Sequence, residues 1–243
     1  MARTPSHKVA PLPNHMVAEI LRKDPSAFIH RAFLELHPQA TYHYNWHHDF
    51  IAEALLDVYL GLERRTILNL PPRHLKSFAA SVAFPAWVLG HRPWAQILSV
   101  TYGQELSDAL ARASRRLMTS PFYEALFDTR LARGREAVAD FETTQGGFRL
   151  STSVGGTLTG RGADIIIIDD PLKADEALSL ARRNAVNDWY DNTLRSRLNN
   201  QETGSIVIVM QRLHAADLVA HVQEHEDGWR VLSFPAIAEE DQP

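Results

Sequence analysis

From residue 66 onward, short apolar runs alternate with longer stretches of helical periodicity. Thr66–Leu70 (TILNL), Gln96–Thr101 (QILSVT), Asp164–Asp169 (DIIIID) and Ser205–Met210 (SIVIVM) are rich in aliphatic and β-branched residues. The four consecutive isoleucines Ile165–Ile168 leave no solvent-facing alternate position, which is the pattern of a central strand covered on both faces. Gly147–Ser153 and Trp229–Phe234 are weaker strand candidates. Between the strands the spacing predicts helices from Lys76 to about Leu89, Glu105 to Met118, Glu176 to Arg197 and Ala215 to Gln223. Upstream, Met16–Leu36 is apolar at helical spacing, but Pro25 divides it into two short helices, and Trp46–Leu60 predicts a third. Pro5, Pro11 and Pro13 make the first fourteen residues a lead-in without regular structure. Strands alternating with helices predict crossover units and a mainly parallel sheet with helices on both faces, an α/β fold. The expected division is a lead-in with N-terminal helices over 1–60 and one core over 61–243.

Composition narrows the classes. The 243 residues carry 25 Lys plus Arg against 29 Asp plus Glu, a net charge of −4. This is a poor match to a protein that coats nucleic acid, so any such contact must be local. The absence of cysteine excludes a disulfide scaffold, a cysteine zinc site and a cysteine nucleophile. The purely apolar runs, such as Ile165–Ile168 and Ile206–Met210, are far below the ~20 residues of a membrane-spanning helix. The N-terminus has no apolar stretch of signal-peptide type.

In parallel sheets, ligands bind beyond the carboxyl ends of the strands. After Thr66–Leu70 comes Pro71-Pro72-Arg73-His74-Leu75-Lys76-Ser77. Lys-Ser opening a helix after a buried strand is how a phosphate-binding loop ends: the helix start offers unpaired N–H groups, Lys76 would reach the β- and γ-phosphates, and the Ser77 hydroxyl would ligate Mg²⁺. Leu70 and Leu75 stand where the two glycines of the usual loop would be, so the loop alone is also compatible with an ordinary strand–turn–helix. The isoleucine run ends in Asp169 and Asp170. Adjacent carboxylates at a strand end repel each other, which a divalent cation relieves. Asp169 would hold Mg²⁺ and Asp170 would polarise the attacking water, or the pair merely caps a strand. Gln211, after Ser205–Met210, can contact the γ-phosphate or its water and so sense hydrolysis. His214 opens the next helix and has a structural reading.

Three ordered segments, LNLPPRHLKSFAASVAFPAWVLG (Leu68–Gly90), GGTLTGRGADIIIIDDPLKADEA (Gly155–Ala177) and IVIVMQRLHAADL (Ile206–Leu218), resemble the ATPase domain of tailed-bacteriophage terminase large subunits, with the likeness extending from about Trp46 to Ala238. The resemblance implies a P-loop NTPase of the additional-strand type. Its ATP and Mg²⁺ would power packaging of double-stranded viral DNA into a capsid through a portal protein. A small terminase subunit would be a partner, a ring of copies the working form, and the host cytoplasm the compartment, with no membrane. In that frame Pro72, Arg73, His74, Leu75, Lys76 and Ser77 line the phosphates, Ser77 and Asp169 hold the metal, and Arg73 contacts phosphate. Asp170 occupies the general-base position where many relatives have Glu, and its shorter side chain must bring the water closer. Gln211 falls at the coupling position. Relatives carry a nuclease domain after the motor. This chain stops near an apparent linker exit, Phe234–Glu240, so no nuclease site is expected in it.

Ring ATPases place a neighbour's arginine on the γ-phosphate. Arg161, flanked by Gly160 and Gly162, is the first candidate and Arg212 the second; the bland reading pairs Arg161 with Asp164. Trp46 or His47, upstream of the loop, would face the base. His43 and His47 share a helix face without a further recognisable ligand set, so a helix start with solvated imidazoles is expected there rather than zinc. Arginine clusters at 112, 115 and 116, at 130, 133 and 135, and at 195 and 197 read as solvated faces more readily than as DNA phosphate contacts. Two other functions stay open: a helicase-like or other nucleic-acid-stimulated ATPase, and a nucleotide-binding docking module without turnover.

Overall fold

The isoleucine run forms the middle of the sheet, as its pattern requires. The computed structural model describes residues 14–158 and 160–235, without the side chains of Arg135 and Glu136. The lead-in before Asn14 and the linker-like residues after Pro235 lie outside the described residues. The helices are α1 (His15–Lys23), α2 (Pro25–Leu36), α3 (His47–Leu60), α4 (Lys76–Phe78), α5 (Phe84–His91), α6 (Gln104–Met118), α7 (Pro121–Leu126), α8 (Leu180–Trp189) and α9 (Leu218–His225). The strands are β1 (Arg65–Asn69), β2 (Gln96–Thr101), β3 (Leu131–Glu136), β4 (Asp140–Thr143), β5 (Phe148–Ser153), β6 (Ile165–Asp169), β7 (Ser205–Met210) and β8 (Arg230–Ser233).

The eight strands lie in the order β3-β4-β5-β2-β6-β7-β1-β8. From β5 to β8 every pairing is parallel, while β3, β4 and β5 pair antiparallel. Successive residues of β6 point to opposite faces. Ile165 and Ile167 join an apolar layer with α2, α3, α5 and α6. Ile166 and Ile168 join a second layer with α8 and α9. All four are buried, and each contributes roughly 1.5–3 kcal/mol relative to exposure. The same alternation puts Asp169 on the first face, under the helix that follows the phosphate-type loop.

Pro25 divides the N-terminal helices as expected. Asp24 closes α1 through its backbone N–H and caps α2 through its side chain, accepting from the N–H groups of Ser26 and Ala27. Gly61 ends α3 with a φ of 74°, a left-handed cap that suits glycine. The helix expected from Lys76 is present but irregular: α4 passes through a π-helical turn, Ala79–Ala83, into α5. Likewise α8 runs into a second π-helical turn, Tyr190–Leu194. Helix α7 and strands β3 and β4 were not expected. Their alternation is short, and Gly134 at φ 77° interrupts β3.

Candidate active site

The loop after β1 is turned by two left-handed residues. Arg73 and Leu75 both sit at positive φ, 66° and 59°, and Leu75 is the residue before α4. Alternating left- and right-handed residues turn successive N–H groups toward one concavity. Leu75 therefore occupies the conformation for which glycine is the usual choice at this position. A non-glycine residue there stores about 1–3 kcal/mol of strain. Leu75→Gly is expected to stay within about 1 kcal/mol of the parent stability, relief of strain offsetting lost packing and added chain entropy. Leu75→Val, branched at Cβ, should lose about 1–2 kcal/mol in urea denaturation. Equal losses from the two substitutions would contradict the strain at this position.

Four expected side chains and one backbone group meet at the ends of β1, β6 and β7. The Lys76 ammonium, almost fully buried, donates to Asp170 Oδ2 at 2.6 Å. The Ser77 hydroxyl donates to Asp169 Oδ1 at 2.8 Å. The backbone N–H of Gln211 donates to Asp170 Oδ1 at 3.0 Å. Asp170 itself has a φ of 45°, the third non-glycine residue at positive φ in this region after Arg73 and Leu75. Asp169 is fully buried, and burial, followed by the charge of Asp170, raises its carboxyl to about 6, against the opposing pull of hydrogen bonds from Ser81 and Ser77 and the charge of Lys76. Ser77 Oγ and Asp169 Oδ1 converge as two hard oxygen donors, a set that suits Mg²⁺ with further ligands from water and phosphate.

Behind these residues lies a partner that sequence reasoning missed. Ser81, in the π-helical turn, donates its hydroxyl to the other oxygen of Asp169, Oδ2, at 2.7 Å. Arg149, in β5, is completely buried on the same face; its Nη2 donates to the Ser81 carbonyl at 2.8 Å and its Nη1 to the Ser151 hydroxyl. Burial pulls the Arg149 guanidinium down to about 9, with the charge of Asp169 opposing this, so it remains a cation at neutral pH. A lone arginine in a run such as FRLSTS carries no local signal of this role.

Of the imidazoles expected to be solvated, His43 is exposed and lies before α3, so it shares no helix face with His47, whereas His47 is buried together with His48. His47 and His48 are each 7% exposed, because Tyr42, His74 and α2 cover them. Tyr42 and His48 are hydrogen-bonded, and burial drives the His48 imidazole down to about 4. His47 is also held neutral, chiefly by burial, and its ring centre lies 5.2 Å from that of His74. His47 Nε2 is buried without a hydrogen-bond partner. His74 in turn bonds through Nδ1 to the Pro72 carbonyl at 2.9 Å, while Pro72 and Arg73 are exposed on the loop. Trp46 is exposed and forms an edge-to-face group with Phe50 and Phe234. Trp46 and His47 thus stand beside the loop, and only His47 is in ring contact with a loop residue among the described contacts.

Arg161 is not near the phosphate-type loop of its own chain. It pairs with Asp140 and Glu142 of β4 and lies over the Phe148 ring at the start of β5. That is the opposite edge of the sheet, five residues of β2 or roughly 16 Å away along the strands. The expected partner Asp164 instead accepts from the Gln96 backbone N–H and from Asn199. Arg212 is tied to Asp217, the buried cap of α9, at 2.8 Å, and His214 receives the Ala216 N–H. Of the arginine clusters, Arg116 donates to the Leu36 carbonyl, Arg130 to Phe127, Thr129 and Glu124 carbonyls, and Arg195 pairs with Glu226. The side chain of Arg135 lies outside the described residues.

The arrangement defines the class of fold first: an α/β fold with a mainly parallel eight-stranded sheet between two layers of helices, whose loop after β1 and acidic β6 end meet at one edge. Among solved structures the chain is similar to the large terminase of HK97 bacteriophage, with a TM-score of 0.56 and 14% sequence identity over 90% of this chain. The likeness covers 45% of that terminase, so the chain spans under half its length. No protein-family profile matches the chain, and no curated protein does either. Among the described residues no helix is long and apolar enough to cross a membrane.

Proposed function

We propose that this chain is a Mg²⁺-dependent ATPase, the motor part of a machine that packages double-stranded DNA into a viral capsid. The observation that carries the reading is the meeting of Lys76, Ser77, Asp169 and Asp170 at the carboxyl edge of the sheet, with Lys76 on Asp170 and Ser77 on Asp169. The large-terminase likeness of the fold supports the packaging context. The portal protein, a small terminase subunit and a ring of copies belong to the same proposal.

The chemistry follows from the residues. Backbone N–H groups of Arg73 to Ser77 face the phosphates, and Lys76 exchanges Asp170 for the β- and γ-phosphates. Binding must therefore break the Lys76–Asp170 ion pair, and this releases Asp170. A freed Asp170 accepts the proton of the attacking water as general base. Ser77 and Asp169 would hold Mg²⁺, which when bound offsets charge on the phosphate oxygens. Gln211 is fastened to Asp170 through its backbone and so moves with it, coupling the state of the base to β7. His47, with its unpartnered Nε2, is the better base contact than exposed Trp46, since an unpaired buried nitrogen favours a hydrogen-bonding ligand.

Phosphate release measured by a coupled assay tests the activity: turnover should require Mg²⁺, and turnover equal in EDTA would contradict it. Arg161 is retained as the arginine given in trans, its place at the far edge requiring a neighbour's site to receive it. Arg161→Ala copies should lose turnover and regain it when mixed with Lys76→Ala copies, each supplying what the other lacks. Failure to regain activity at any mixing ratio excludes the trans role. Binding without turnover would support the docking-module reading, which the strained Leu75 and the short Asp170 favour.

A further inference from the structure

Arg149 is the largest fully buried side chain of the fold, and it is charged. Burying a guanidinium costs far more than burying an aliphatic side chain of equal volume, unless its charge and donors are used. Its position in β5, paired with Ile97 and facing the layer of α2, α5 and α6, would accept an aliphatic residue as far as the sheet is concerned. The hydrogen bonds are also incomplete: Nε is buried without a partner. The fold is therefore not what the charge serves.

The helix after the loop explains where the donors go. Pro85 has no N–H, so the Ser81 carbonyl four residues earlier lacks its usual α-helical donor. The chain answers with the π-helical turn Ala79–Ala83, a distortion common at functional sites, and Arg149 Nη2 donates to that carbonyl at 2.8 Å. The same residue, Ser81, donates its hydroxyl to Asp169 Oδ2. Arg149, the π-helical turn and the buried carboxylate are thus joined in one chain of contacts, in which Ser81 occupies one Asp169 oxygen while the other faces Ser77.

We propose that Arg149 is a positioning residue for the metal-holding carboxylate: through Ser81 it fixes the rotation of Asp169. The proposal rests on the nucleotide reading of this edge. Groups that orient a metal ligand from behind are commonly worth roughly 10- to 100-fold in metal affinity.

The test is the Mg²⁺ dependence of binding of a fluorescent ATP analogue to the full chain, measured across a Mg²⁺ series and in EDTA, with Mn²⁺ binding followed by electron paramagnetic resonance. Ser81→Ala, a small change that removes only the hydroxyl, should raise the Mg²⁺ and Mn²⁺ concentrations needed by roughly tenfold or more. Its analogue affinity in EDTA and its melting temperature should stay near the parent values. Arg149→Met should show the same metal defect, and Arg149→Lys, which keeps the charge and one donor, should recover part of it. An unchanged metal requirement in Ser81→Ala overturns the proposal. So does a parallel fall of metal-free and metal-dependent affinity in both Arg149 variants, since that marks a merely structural residue. If the parent chain binds the analogue with no Mg²⁺ dependence, the nucleotide reading itself falls, and this proposal with it; parent-like binding by all three variants removes the positioning role alone.

Discussion

Asp170→Asn is expected to bind ATP and fail to hydrolyse it. Asparagine keeps the shape of the side chain and can still accept the Gln211 N–H that Asp170 Oδ1 accepts at 3.0 Å. It has no charge with which to take a proton from water or to hold Lys76. Loss of a general base costs on the order of 10²–10⁴-fold in rate. Affinity should hold or rise, because Lys76 no longer has to leave a carboxylate 2.6 Å away to reach phosphate. Single-turnover phosphate release and analogue binding, measured on the same preparation, separate the two effects. Turnover within about tenfold of the parent would remove Asp170 from the base role.

Lys76→Ala should fail at both steps. The ammonium is nearly buried and is held by Asp170 at the start of α4. Without it the phosphates lose their closest positive charge in a site of low polarity, where such a charge is worth most. Turnover is expected to fall on the order of 10³-fold or more. The substitution also leaves Asp170, a half-buried carboxylate, without its ion-pair partner, at a stability cost of about 1–3 kcal/mol. Melting measured alongside activity distinguishes a folded, inactive chain from an unfolded one. Parent-like turnover by a folded Lys76→Ala would show that the site lies elsewhere.

Much of this geometry was legible because its signals are local. Ile165–Ile168 demanded two covered faces, and the sheet supplied them. A strand end followed at once by Lys76-Ser77 or Asp169-Asp170 leaves little freedom for where those side chains go. The hidden parts depend on distant segments. β4 is four residues long, so nothing marked Asp140 and Glu142 as the partners of Arg161 in place of Asp164. His47 and His48 looked solvated because their own helix start is polar; α2 and His74 bury them from outside. Arg149 owes its partner to Pro85 and the π-helical turn, more than sixty residues earlier in the chain, a coupling that no window of sequence contains. The positive φ of Leu75 lay between the two cases: the glycine-like position was visible, and the strain became apparent only with the backbone.

The most direct measurement of the central claim is steady-state ATP hydrolysis by the parent chain, with and without Mg²⁺, beside Lys76→Ala under the same conditions. The account predicts turnover by the parent only in Mg²⁺, and none above background by the variant. Binding of nucleotide with no hydrolysis by the parent at any Mg²⁺ concentration, or equal hydrolysis by both proteins, would contradict it.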